Sequence, residues 1–211
     1  MFTNCKNLNR RLILYFIFFY RMSKPIIFIT GNANKLEEFK TILGKNFPQE
    51  VKSLKVNLRE EQGEIEEICV AKCRAAADMV QGPVIIEDTC LCFNAMKGLP
   101  GPYIKWFVEK LGPEGLYKML DPWEDKTAEV ICTFGYCDGG PEDPVLLFHD
   151  ITKGTIVSPR GPQDFGWDAC FQPLGSDKTY AELSKEVKNQ TSHRTRALEK
   201  LKEHLMKNVK Y

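Results

Sequence analysis

Glu87 and Asp88 stand side by side, directly after Val84-Ile85-Ile86 and before Thr89. Three buried-type residues running into two acids place those acids at the carboxyl end of a strand. In open α/β sheets, that edge is where ligands bind. Paired carboxylates there can hold Mg²⁺, which takes oxygen ligands and keeps several of its waters. The plainer reading is a turn with Asp88 as a cap. A second stretch offers the complementary charge. Ile26 to Ile29 is a short apolar run rich in β-branched residues, and Thr30-Gly31-Asn32 breaks it. Leu36, Phe39, Ile42 and Leu43 then recur at helical spacing. A strand feeding a helix through a tight glycine turn aims backbone N–H groups and a helix N-terminus at one spot. A phosphate suits that spot, and Lys35 could add a full charge. The glycines match neither G-x-x-x-x-G-K-[ST] nor G-x-G-x-x-G, so an ordinary strand-to-helix turn is the competing reading.

Further candidates are scattered along the chain. Glu60 lies in the acidic turn Arg59-Glu60-Glu61-Gln62-Gly63-Glu64 and is either a surface charge or a metal ligand. A helix follows to about Val80, with Ile65, Ile68, Cys69, Ala75, Ala76 and Met79 as its apolar face. Lys72 falls on that same face, and either snorkels to the rim or reaches an anion in a cleft. Gly98-Leu-Pro-Gly-Pro102 is stiff and irregular, and leads into a helix bearing Lys105 that Gly112-Pro113 should end. Phe165-Gly166-Trp167-Asp168 offers a ring to stack on, room to approach and an acceptor for a base N–H, which fits a purine pocket. One of the two aromatics is expected to be a core plug instead. His193 and Arg194 occupy the first turn of the last helix, after the cap Ser192. The macrodipole disfavours cations there, so an anion or an electron-rich base edge is expected nearby.

The elements that must hold these groups alternate in type. Strands are expected at Val51–Leu58, Ala128–Tyr136, Val145–His149 and Gly154–Val157, the last three as a meander in a second lobe facing the first. The last helix carries the stripe Ala197, Leu198, Leu201, Leu205 and Val209. With 211 residues, one domain of two lobes can build a sizeable core. A net charge of +1 argues against a protein that coats nucleic acid. The eight cysteines include no C-x-x-C pair, so they read as reduced thiols of a cytosolic protein rather than as a zinc site. Leu12 to Tyr20 is apolar but about half the length of a membrane span. Residues 1–21 are therefore expected to be a dispensable extension, with Met22 a sensible start and 22–211 the single domain; no membrane contact is expected.

Thr30-Gly31-Asn32-x-x-Lys35, Glu87-Asp88-Thr89 and Gly98-Leu-Pro-Gly-Pro-Tyr-Ile-Lys-Trp-Phe107 together resemble the inosine triphosphate pyrophosphatases. Ser158-Pro-Arg-Gly161, Asp164-Phe-Gly-Trp-Asp168 and Ser192-His-Arg194 continue the likeness, which runs from about Ile26 to Leu205. Asn34 departs from the second lysine that close animal relatives carry before Lys35.

The resemblance implies an α/β fold with an elongated, mixed, twisted sheet, flanking helices and a cleft between two lobes. It implies a cytoplasmic homodimer that converts ITP, dITP and XTP to the monophosphate and pyrophosphate. Mg²⁺ would be required, with Mn²⁺ as a substitute. Carried over by position, Thr30, Gly31, Asn32, Ala33, Asn34, Lys35, Lys72 and Arg194 meet the triphosphate. Glu60 and Asp88 hold the metal, and Asp88 also orients or deprotonates water. Thr89 touches phosphate or sugar, and Lys105 touches substrate. Phe165, Gly166, Trp167, Asp168, Lys188 and His193 line the base and sugar end. Two other readings stay open: a pyrophosphatase of the same architecture for modified pyrimidines, and a non-catalytic nucleotide-binding protein.

Overall fold

The computed structural model describes residues 24–45 and 47–208; the extension, the Met22 start, Cys5 and Val209 lie outside them. Strands β1 (Ile26–Ile29), β2 (Val51–Leu54), β3 (Val84–Phe93), β4 (Pro100–Gly101), β5 (Thr127–Cys137), β6 (Leu146–Ile156) and β7 (Phe171–Pro173) form one mixed sheet. Helices α1 (Ala33–Leu43), α2 (Ile65–Val80), α3 (Ile104–Lys118), α4 (Lys185–Thr191) and α5 (His193–Asn208) flank it. The order is β2-β1-β3-β5-β6-β7, with β4 pairing β3 off this path.

β1 is parallel to both β2 and β3, so the chain leaves β1 in one direction through α1 and returns beside it on the other edge through α2. That reversal of order puts the two helices on opposite faces. Phe39 and Leu43 of α1 pack with Phe28, Ile85 and α5 on one face. Cys69, Cys73, Ala76 and Ala77 of α2 pack with Val84 and Ile86 on the other. A crevice opens where such strands diverge. Phe28 and Phe39 stack at 4.3 Å, fixing β1 against α1 and hence the turn between them.

The far halves of β3 and β5 continue into a second core with α3, Ile156, Phe171 and Tyr180, so the two lobes share one sheet. Pairing of β3 with β1 stops at Ile86, and pairing with β4 starts only at Leu91. The edge of β3 between them is therefore bare, and Glu87, Asp88 and Thr89 lie along it.

Several expectations need correction. The acids do not end a strand: β3 runs on to Phe93, and only its parallel half ends before them. Val145–His149 and Gly154–Val157, but for Val145 and Val157 themselves, fall in one strand, β6, whose ladder with β5 is unbroken from Leu146 to Thr155. β2 stops at Leu54, and residues 55–64 carry no helix or strand. Gly112, non-helical at φ 63° and ψ 179°, does end the helix that bears Lys105, and Pro113 opens a second one across the kink within α3. The buried face of α2 includes Cys73 and Ala77, while Met79 is 59% exposed. The seven described cysteines are all buried free thiols, and burial raises those of Cys69, Cys73 and Cys170 to about 12. No helix among the described residues is long and apolar enough to cross a membrane.

Candidate active site

The crevice is a cleft of about 650 Å³. At one end lies the turn from β1 into α1. Asn32 caps the helix, its side chain accepting from the amides of Asn34 (3.0 Å) and Lys35 (3.2 Å), while Thr30 Oγ1 accepts from Asn32 N–H at 3.2 Å. The capping satisfies three N–H groups internally, leaving the amides of Gly31 and Ala33 without a protein acceptor among the described residues. Ala33 and Asn34 place no side chain in the cleft wall; every other candidate residue lines it. The departure at Asn34 thus lies outside the wall.

Beside the turn, strand alternation sends Glu87 and Asp88 to opposite faces. They cannot chelate one ion together, which corrects the paired-acid reading. Glu87 turns toward α1 and α5, where Lys35 Nζ lies 2.7 Å from Oε2 and Arg194 Nη2 3.4 Å from Oε1. Complete burial would raise its pKa, but Lys35 and Arg194 outweigh that and hold it well below the usual carboxylate range. Asp88 turns toward α2. Lys72 Nζ donates to Asp88 Oδ2 and to Glu60 Oε2, both at 2.9 Å, and Lys105 Nζ donates to Glu60 Oε1 at 3.1 Å. Burial alone would lower the Lys72 pKa; Asp88 and Glu60 reverse this and keep it ionised. Lys72 therefore reaches into the cleft rather than snorkelling to the rim. The irregular segment carrying Glu60 is held from α3's side by Tyr103, whose hydroxyl accepts from Gly63 N–H (3.2 Å) and donates to its carbonyl (3.3 Å).

Glu60 and Asp88 thus converge on one cationic group with their oxygens facing the cleft. That donor set fits Mg²⁺, which is commonly held by one or two carboxylates together with substrate phosphates. Among the described residues no third acid, cysteine or histidine joins them.

The other end of the cleft is aromatic. Trp167 packs edge-on against Phe171 at 5.7 Å and faces the His193 ring at 6.2 Å, so it belongs both to the core and to the wall. Phe165 is covered on one face by Lys188 Nζ, 4.2 Å from the ring centre. His193 is 2% exposed, and neither ring nitrogen has a hydrogen-bond partner. Burial, reinforced by Arg194 and Lys188, drops its pKa well below normal, so the imidazole is neutral. The anion expected near this turn is there: Arg194 meets the carboxylates of Glu38 and Glu87, while His193 carries no charge. Ser192 does cap α5, its Oγ accepting from Thr195 N–H at 3.2 Å.

Glu38, unmarked in the sequence, is the hinge of the base end. One oxygen takes Arg194 Nη1, and the other lies 3.3 Å from Lys188 Nζ, which also holds Asp168 Oδ2. Lys35, Glu87, Arg194, Glu38, Lys188 and Asp168 form an alternating chain of charge from the helix turn to the aromatic wall. The i,i+3 spacing from Lys35 gives no signal, since Lys35 pairs with Glu87 and Glu38 with residues of α4 and α5. Nothing local distinguishes Glu38 from its neighbour Glu37, which is exposed.

The sequence model of the Ham1 family matches residues 26–204. The chain belongs to the Ham1 family. Solved Ham1 structures share the fold closely. A HAM1 protein from Coxiella burnetii is 26% identical, covers 87% of this chain and 100% of its own length, and superposes with a TM-score of 0.75. The Staphylococcus aureus Ham1 protein is 29% identical over 87% of this chain and 99% of its own, with a TM-score of 0.70. A Mycobacterium abscessus protein described as a nucleoside-triphosphatase and dITP/XTP pyrophosphatase is 25% identical over 84% and 98%, with a TM-score of 0.66. The family match spans both lobes and every residue of the cleft wall.

Proposed function

We propose that this Ham1-family chain, a nucleoside triphosphate pyrophosphatase, takes ITP, dITP and XTP and releases the monophosphate and pyrophosphate. The observation that carries the substrate reading is His193: a buried neutral ring with two unpartnered nitrogens beside an aromatic wall. Such a group takes its partners from what enters the cleft, and a base against Trp167 brings polar atoms to it. A neutral imidazole can exchange its N–H between the two nitrogens, so fixed polarity comes from its neighbour: Arg194 Nε–H, buried, unpartnered and a donor only, suits the oxygen of a 6-oxopurine and not the 6-amino group of adenine.

In the reaction, the oxygen of water bonds to the α-phosphorus. The bond from that phosphorus to the α–β bridging oxygen breaks, and its electron pair leaves with pyrophosphate. In this reading Asp88 orients the water and takes its proton. Lys35 and the Gly31 and Ala33 amides meet the phosphates, and Lys72 and Lys105 neutralise charge along them. Mg²⁺, held by Glu60 and Asp88, would supply further neutralisation of phosphate charge. Thr89 and Arg194 are fixed to Glu87, so Arg194 acts as a buried support of the pocket as well as a candidate contact. Lys188 and Asp168 satisfy each other and stiffen the base wall. The active unit is proposed to be a homodimer in the cytoplasm.

The test is kcat/KM for ITP, dITP, XTP, ATP and GTP with Mg²⁺, resolving the products. The keto-edge reading expects the first three to exceed ATP by ~10²-fold or more, since each unmet buried hydrogen bond costs about 1–3 kcal/mol. GTP shares that edge, so its exclusion rests on the 2-amino group. Comparable values for ATP and ITP would sink the reading. Release of orthophosphate instead of pyrophosphate would sink the reaction.

A further inference from the structure

Six cations line the cleft, and five of them face a carboxylate. Lys55 is the sixth. Among the described residues its ammonium makes no ion pair. Its stem is nevertheless set down at a definite place: Cγ and Cε lie 3.3 and 3.4 Å from where a Cβ on Gly31 would sit. A side chain at 31 would press on that stem, so the glycine lets it lie close to the turn. Lys55 directly follows Leu54, whose carbonyl accepts from Thr30 N–H at 3.1 Å, so the backbone ties the two segments together.

Strand order fixes what lies on either side. Lys55 leaves the end of β2, the helix turn leaves β1, and Asp88 sits on β3. His193 begins α5, which packs on β5 and β6 beyond Asp88. Strands lie ~4.8 Å apart, so Lys55 is displaced roughly 10 Å from the Asp88 strand, away from the base wall. A nucleotide with its base at Trp167 and its α-phosphorus at Asp88 therefore extends its remaining phosphates toward Gly31 and Lys55. We infer that Lys55 binds the β- and γ-phosphates, the half of the substrate that departs as pyrophosphate. Its lack of an internal acid leaves its whole charge to the ligand. This assignment rests on the pyrophosphatase reading above.

The experiment compares Lys55→Met, which keeps an apolar stem over Gly31, with Lys55→Arg, which restores the charge. ITP hydrolysis is inhibited separately with inorganic pyrophosphate and with IMP. Lys55→Met should weaken pyrophosphate inhibition roughly ten-fold, as for one charged hydrogen bond. IMP inhibition should stay within about two-fold, and Lys55→Arg should recover most of the loss. Equal weakening of both inhibitors would mean a general disturbance of the turn and overturn the assignment; so would no change in either. Products of the unmodified enzyme are resolved first. If it releases orthophosphate, the pyrophosphatase reading fails whatever the Lys55 variants do, and the assignment falls with it.

Discussion

Asp88 has both carboxylate oxygens engaged, one by Lys72 and one by the Thr89 amide at 3.0 Å, so its orientation is fixed before any substrate arrives. Asp88→Asn nearly preserves that shape and removes the charge and the basicity. We expect kcat to fall by ~10²–10⁴, the range for a lost acid–base group, with the urea midpoint little changed; near-normal turnover would take Asp88 out of the mechanism. Glu38 makes the opposite case, a residue whose loss should be felt first in stability. It stands between two buried cations, Arg194 and Lys188, and removing one member of a buried pair leaves an uncompensated charge. Glu38→Gln should cost about 3–5 kcal/mol in urea denaturation. Glu37→Gln, one residue earlier, breaks only an exposed pair with Lys185 and should cost under ~1 kcal/mol. Equal costs would show that the charge chain is not what holds the base end.

At the scale of elements, what was legible in the sequence is what local pattern encodes. The β1-turn-α1 unit could be read because apolar period, glycine and capping residue all fall within a dozen residues. The position of Asp88 on β3 could be read, but not that β3 continues, because Thr89-Cys90-Leu91 looks the same at the end of a strand as in its middle. Glu38 and Glu87 were illegible as structural charges: the cations of Glu38 come from residues 188 and 194, and those of Glu87 from residues 35 and 194, all but one far along the chain. Residues 150–153, expected to separate two strands, continue β6 instead and lead into Gly154. That glycine marks a close approach, since a Cβ there would lie 2.4 Å from Gln172 O and 2.5 Å from the Phe171 ring, where β7 packs on β6. Gly154→Ala must therefore push β7 outward. Overpacking of this kind typically costs about 1–3 kcal/mol, read as a lowered urea midpoint. A neutral Gly154→Ala would show that β7 gives way freely.

Across the whole molecule, the charge chain and the neutral imidazole tie α1, β3, α4, α5 and the 165–168 loop into one unit, so acid should loosen all of it together. The first group to matter is His193. Its ordinary pKa is 6.5, and burial with Arg194 and Lys188 close by pushes the folded value far lower. Between those two values the unfolded chain holds one proton that the folded chain refuses. Stability therefore rises with pH in that window and is lost as pH falls below about 6.5, by up to about 1.4 kcal/mol per unit. Glu87 adds loss of the same sign, but only below its ordinary value of 4.5. Asp168, raised by burial against the pull of Lys188, acts in the opposite sense above its ordinary value of 3.8. The interval from pH 6.5 to 5 is thus dominated by His193. The urea midpoint should fall across it in the unmodified protein and stay nearly level in His193→Gln, while the His193 ring signals in NMR stay fixed from pH 8 to 5. A His193 ring that titrates above pH 6 would mean that the imidazole accepts its proton in the folded state, and the neutral edge proposed to read the purine would be lost with it.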